Sequence, residues 1–422
     1  MCAWSRSDDR VACESPDPGG GGAIVIASDP LLSHGIDLEV VLIVIAKTIV
    51  VFALLLVLVM FYIWFMRKVI ADMQNRIGPN NAGPWGILQT LADGIKFFFK
   101  EQSIPDTADR WVFRLAPYLS VLPAFLAFSI IPIGGKVSIA GHQTYLQLAD
   151  PPIGVLFLLM MSGVGLYGVM LAGWASGSKY PLLGAVRASA QLLSYEAAFG
   201  LSVVAVLLHS GTLSTRGIAN AQAWTSWHSF VTDWYWSVAI VSFVIFVIAA
   251  VAETNHPPFD LVEAEQELVG GFHTEYTGIR FAIFFLAEFM NVITMSAIAV
   301  TLFLGGPSGP ALGFLPQGGF VNLWIMPVFW FFLKLMVLLF GTVWLRASVP
   351  RLRYDQLMDL GWKWLIELSF LAVMVTAVVV VARDQGWDRW IAVPAAFGGA
   401  LAILGLLRLC MPHRDETVSE VV

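Results

Sequence analysis

The stretch Val40-Val-Leu-Ile-Val-Ile-Ala-Lys-Thr-Ile-Val-Val-Phe-Ala-Leu-Leu-Leu-Val-Leu-Val-Met-Phe-Tyr-Ile-Trp-Phe65 is a nearly unbroken apolar run. A helix of about 20 mainly apolar residues crosses a bilayer, and it satisfies its own backbone groups there. Eight further segments read the same way: residues 116–133, 153–174, 184–208, 236–252, 280–304, 323–345, 364–382 and 390–409. The second is interrupted by Pro117, Pro123 and Pro132. Proline is tolerated in a membrane when neighbouring helices take up the freed backbone groups. The sequence therefore predicts an all-α integral membrane protein, a single bundle of spanning helices.

Composition agrees. Of 422 residues, 58% are hydrophobic and 13% charged, against about 25% charged in soluble domains. Mean hydropathy is +0.75. The net charge of -6 says little about partners, because most charge sits in loops. No basic stripe interleaved with aromatics is present, which argues against nucleic acid as a partner. Cys2, Cys13 and Cys410 have no metal-ligand spacing, so no metal site is expected. Any redox centre must belong to another chain. Residues 1–36, rich in Ser, Asp and Pro with a run from Gly19 to Gly22, make a poor signal peptide and read as a disordered tail.

Basic residues near helix ends set orientation. Arg67, Lys68, Arg76, Lys96, Lys100, Arg110 and Arg114 follow the first span, and Arg346, Arg351, Arg353 and Lys363 follow the seventh. With nine spans both groups fall on the cytoplasmic side, with the N-terminus outside and the C-terminus inside. Residues 85–100 place Ile87, Leu88, Leu91, Ile95 and Phe98 or Phe99 at helical spacing, with Gln89, Asp93, Lys96 and Lys100 off that stripe. This is a cytoplasmic-side amphipathic helix too short and polar to span. It is either an interfacial anchor or the floor of a cavity at the membrane surface.

The acids carry the functional signal. Glu253, Asp260, Glu263, Glu265 and Glu267 crowd one loop between two apolar segments, and Glu275 follows. No lysine accompanies them. Asp260 and Glu263 have the spacing of a capping box. On a helix started there, Glu263 and Glu267 share a face, which is repulsive without a proton, water or cation between them. Close carboxylates titrate as a coupled set, and such a set can hold and pass protons near neutral pH. Glu196 lies within the fourth span and Glu288 within the sixth. A mid-membrane acid costs on the order of 2.5–3.5 kcal/mol, so it should face the bundle or water. A glutamate that only fixes helix packing is the plainer alternative. In the sixth span Phe281, Phe284, Phe285, Glu288, Asn291 and Met295 share roughly one face, which suits a passage for a flat ring or simply a packed seam.

Several segments together resemble one family. They are Arg-Ile-Gly-Pro-Asn (76–80), Leu-Ala-Asp-Gly-Ile-Lys (91–96), Gly-Trp-Ala-Ser-Gly-Ser-Lys-Tyr-Pro-Leu-Leu-Gly (173–184) and Ala-Gln-Leu-Leu-Ser-Tyr-Glu (190–196). Glu-Thr-Asn (253–255), Pro-Phe-Asp (258–260), Glu-Ala-Glu-Gln-Glu-Leu-Val (263–269), Thr-Glu-Tyr (274–276), Ala-Glu-Phe (287–289) and Pro-Arg-Leu-Arg-Tyr-Asp-Gln-Leu-Met (350–358) complete the set. The chain resembles the H-subunit family of bacterial NADH:quinone oxidoreductases, or respiratory complex I. That family is the counterpart of the first NADH dehydrogenase subunit of mitochondria. The resemblance covers about residues 40–385. It implies a domain over residues 37–385 with eight core helices, leaving an additional C-terminal helix and tail over 386–422.

The resemblance also implies a role. The chain would form the membrane part of a quinone chamber in a proton-translocating enzyme of the bacterial inner membrane. Ubiquinone or menaquinone would be the substrate. Flavin and iron–sulfur clusters would lie in partner subunits. Partners would include soluble quinone-site subunits of the peripheral arm, small membrane subunits, antiporter-like subunits and membrane lipid. By motif, Glu196, Glu253, Asp260, Glu263, Glu265, Glu267, Glu275 and Glu288 match an acidic funnel that relays protons. Arg67, Arg76, Asp93, Phe285 and Arg346 match positions of the quinone passage. Four positions depart from the pattern: Met66 stands where an acid is usual, Asn81 and His256 where arginine is common, and Phe289 where tyrosine is usual. His256 retains a group able to carry a proton. These departures motivate an alternative, a structural anchor in a variant complex. A membrane hydrogenase or related reductase with a different electron donor is a further alternative.

Overall fold

The structure, a computed structural model, describes residues 29–32, 37–139, 141–223, 234–235, 239–262, 265–310, 321–385 and 398. Among them, seven helices are long and apolar enough to cross a membrane. They begin with α1 (Leu38–Met73), α3 (Arg110–Phe128), α4 (Gly154–Ala175) and α5 (Lys179–Ser210). After α6 (Thr215–Ala221) and the shorter apolar α7 (Ile240–Glu253) comes α8 (Gly278–Phe303). A π-helical turn leads into α9 (Met326–Ser348). The last span runs from a short helix through a second π-turn into α10 (Ile366–Asp384). The expected fifth span corresponds to α7. The expected ninth, over 390–409, lies outside the described residues except for position 398, as does most of the N-terminal tail.

The helices differ in how far the rest of the chain covers them. Much of α1 is bare, with Leu42, Ile49, Val50 and Val57 among its exposed side chains. By contrast α8 is the most enclosed span, with an unbroken buried run from Val292 to Phe303. The single bundle therefore wraps around α8, which meets α1, α3, α7 and α9.

The proline-rich segment forms one helix. It begins at Arg110, earlier than the apolar run suggests, because the Asp109 carboxylate accepts from the backbone N–H groups of Trp111 and Val112. Pro117 and Pro123 sit inside it and are buried against its neighbours. Residues 136–145 fold as a two-stranded antiparallel hairpin, with β1 (Lys136–Ile139) paired to β2 (His142–Tyr145). It is the one element among the described residues that a purely helical reading omits. Lys334, deep in α9, donates to the carbonyls of Leu304, Gly306 and Ser308 and so caps the end of α8.

The amphipathic helix is present as α2 (Gln89–Phe99). Arg67 ties it to α1 through Asp93 at 2.8 Å, and Thr90 donates to the Met60 carbonyl. Close approach of α3 and α4 depends on Gly168, where a Cβ would lie 2.7 Å from the Ser120 backbone nitrogen. Overpacking of this kind costs about 1–3 kcal/mol. A Gly168→Val variant should therefore show a lowered thermal unfolding midpoint in detergent, while Gly165→Ala, which meets open space, should not.

Candidate functional site

Three of the expected acids converge inside the bundle. Glu196 of α5, Glu253 at the end of α7 and Glu288 of α8 line one cavity of about 80 Å³. A water needs roughly 10–15 Å³ of such space, so several fit. Ser120, Ser162, Thr254, Asn255, Asn291 and Thr294 are its other polar lining residues. The Ser162 hydroxyl donates to Glu253 Oε1. Glu253 Oε2, Ser120 Oγ and Thr294 Oγ1 are buried without a partner among the described residues, and all three residues border this cavity. Buried polar atoms need partners; around one polar cavity, water is the natural one.

The acidic loop is held in place from α5. The buried Gln191 amide donates to the Ala252 carbonyl at 2.8 Å and the Phe259 carbonyl at 3.0 Å. Asn255 Oδ1 lies 3.3 Å away. This clasp fixes the end of α7, and with it Glu253. On the other side of the loop, His256 Nδ1 is 3.1 Å from Glu288 Oε1. Asp260 pairs with Arg351 at 3.4 Å. Burial pushes the Asp260 carboxyl up to about 6, with Arg351 pulling against it and Glu288 adding to it.

The remaining acids are distributed differently. Glu267 is exposed and bonded to Arg187 at 2.6 Å, which holds its carboxyl below the usual range. Its neighbour is thus an arginine, on the face of α5 that also carries Gln191 and Ser194. Glu265 opens a one-turn helix, Glu265–Leu268. Glu275 is partly buried in the approach to α8. Glu263 lies outside the described residues, and so does its pairing with Glu267.

Beside the acids runs an aromatic ladder. Phe97 of α2 meets Phe281 at 5.8 Å, Phe281 stacks on Phe285 at 6.1 Å, and Phe285 meets Phe289 at 4.6 Å. Phe289 touches both Tyr62 of α1 and His256. Phe284 turns away and packs on Phe272 and Tyr276. Near this ladder Tyr62 bonds Thr342 at 3.1 Å, and Arg346 Nη1 sits 3.3 Å from the Met66 sulfur. Arg67, Asp93, Phe285 and Arg346 thus belong to helices α1, α2, α8 and α9, of which α1 and α8 pack on each other and each meets α2 and α9. Arg76 stands apart, exposed in the loop after α1 with Gln74 as its bonded neighbour.

Two contributors escape sequence reasoning. Ser162 is one polar residue in an apolar span, and its spacing gives no hint that it reaches Glu253. His273 is the other; burial holds its imidazole below the usual range although Glu288 pulls it up.

A cavity lined by three carboxylates within a bundle of apolar helices of spanning length defines a multi-pass membrane protein with acids enclosed in its bundle. The chain belongs to the NADH dehydrogenase family, whose model matches residues 46–377. It is 52% identical over 367 residues to the H subunit of NADH-quinone oxidoreductase from Frankia alni, covering 86% of this chain and 78% of that one. The corresponding H subunit from Frankia casuarinae is 49% identical over 391 residues, with coverages of 92% and 83%.

Asp260 supplies a pH test. Its folded-state value of about 6 lies above the ordinary 3.8. The stability it contributes is complete below the lower value and lost as pH rises through the upper one. Between these limits the thermal midpoint of the wild type should fall with pH more steeply than that of Asp260→Asn. Parallel curves would show that Asp260 titrates normally.

Proposed function

We propose that this chain is the membrane subunit of a proton-translocating NADH:quinone oxidoreductase. It forms part of the quinone chamber, and its acids couple quinone reduction to proton movement. The observation that carries this reading is the meeting of Glu196, Glu253 and Glu288 around one cavity beside an aromatic ladder. The names of the relatives support the same assignment.

A quinone head is a flat ring, and the seam of Phe281, Phe285, Phe289 and Tyr62 offers it stacking partners. Reduction consumes two electrons and two protons. The electrons enter from redox centres in partner chains. This chain has no strand–helix nucleotide motif of its own. Charge change at the ring is felt first by Asp260 and its partner Arg351, and by Glu288. Protonation of Asp260 weakens its hold on Arg351. Protons then pass between Glu288, Glu253 and Glu196 through the water space that separates them. The polar lining continues to Asn291 and Thr294 of α8, and neighbouring membrane subunits would receive the relay there. Glu263, Glu265 and Glu275 belong to the same funnel on this reading. The protein sits in the bacterial plasma membrane with its N-terminus outside and C-terminus in the cytoplasm. The arginine-rich side binds the peripheral arm.

One contact favours a second reading, a structural anchor in a variant or related complex. Arg346 faces the thioether of Met66, where the family pattern leads one to expect a carboxylate. A photoreactive quinone separates the two, since an anchor without a working chamber takes no label.

Two outcomes follow from the preferred reading. Glu196→Gln and Glu253→Gln should each lower quinone-linked proton translocation by roughly tenfold or more, measured as pH change in inverted vesicles; wild-type stoichiometry and rate in both would sink the relay. Arg67→Ala breaks the tie between α1 and α2 and should raise KM for quinone several-fold. NADH oxidation by a soluble acceptor should stay unchanged.

A further inference from the structure

His256 stands in the acidic loop between Glu253 and Asp260, and its surroundings give it two distinct nitrogens. The ring is 4% exposed. Nδ1 lies 2.9 Å from the Thr254 carbonyl oxygen and 3.1 Å from Glu288 Oε1. A carbonyl oxygen only accepts, so a neutral ring in this position carries its hydrogen on Nδ1, shared with Glu288. Nε2 is then the basic nitrogen, and it is buried without a partner among the described residues. Phe289 stands edge-on to the ring at 5.5 Å. Four residues along the same loop, Asp260 has a buried oxygen of its own, Oδ1, likewise without a partner among the described residues. The charges of Arg351, Glu288, Arg346 and His256 all act on Asp260. The imidazole thus meets Glu288 of α8 directly, and the charged groups that share its surroundings through Asp260 are Arg346, near the end of α9, and Arg351, just beyond that helix.

An imidazole with one nitrogen on a carboxylate and the other free as a base accepts on one side and donates on the other. We propose that His256 is a proton-transfer residue linking Asp260 to Glu288. This deepens the function proposed above and rests on it. A proton leaves the Asp260 carboxyl and binds Nε2, directly or through one water. The Nδ1 proton passes to Glu288 Oε1. The ring ends neutral, Asp260 ends as a carboxylate and Glu288 as a carboxylic acid, and no electron moves. The Thr254 carbonyl makes the Nδ1–H form the resting state.

The test uses the assembled complex in native membranes, with His256→Ala and His256→Gln introduced into this chain. Rates are normalised to NADH oxidation by a soluble acceptor. Quinone-dependent proton translocation is expected to fall roughly tenfold or more in both. Added imidazole should restore it in His256→Ala and not in His256→Gln, whose amide fills the site without carrying a proton. Translocation at the wild-type rate in either variant overturns the proposal. Loss in both without rescue assigns the ring a structural role and overturns it equally. Should His256→Ala fail to assemble, the pH profile of His256→Gln decides: a lost limb supports the relay, and an unchanged profile contradicts it. A wild-type complex that translocates no protons would instead overturn the parent reading.

Discussion

The amide of Gln191 holds the site together. It is buried on α5 and donates to two carbonyls, that of Ala252 where the acidic loop begins and that of Phe259 within it. Away from water, a side-chain donor finds few acceptors, and an unmade bond there costs the full desolvation of each group. The clasp therefore sets where α7 ends and how the loop turns. Glu253 is placed over the cavity by that end, and His256 and Asp260 are placed beside Glu288 and Arg351 by that turn.

Around this clasp the helices solve one problem, the placing of carboxylates within a low-dielectric bundle. Lipid cannot solvate them, so each is turned inward, toward a hydroxyl, an imidazole, an arginine or the shared cavity. The enclosure of α8 follows from the same need. It carries Glu288 and Asn291, and it is the span most completely wrapped by its neighbours. Its far half, from Val292 to Phe303, is buried throughout, while its near half carries Glu288 and the phenylalanine ladder. One helix thus forms a wall of the polar cavity and of the aromatic seam alike.

Much of this is legible in the sequence, because it depends on local pattern. Apolar runs of spanning length mark each of the seven long helices, and the 3.6-residue period marks α2. The clustering of Glu253 to Glu267 and the lone acids Glu196 and Glu288 point to the site. What local pattern leaves open is the choice of partner. Glu267 shares its loop with Glu253, yet it faces the surface and Arg187, while Glu253 is buried against Ser162. Their partners come from different helices, Ser162 from α4 and Arg187 from α5, and neither is close to the loop in sequence. The pairing of Asp260 with Arg351 joins segments far apart in the chain and is invisible to periodicity. The hairpin at 136–145 escapes notice because two four-residue strands carry too little alternation to stand out from a loop.

The central claim is that Glu196, Glu253 and Glu288 exchange protons through the cavity they share when quinone is reduced. Infrared difference spectroscopy of the assembled complex, triggered by quinol formation, reads this directly. The account predicts carboxyl bands that shift on quinone reduction, move in heavy water, and lose intensity when any one of the three glutamates is replaced by glutamine. A difference spectrum unchanged by all three replacements would contradict it.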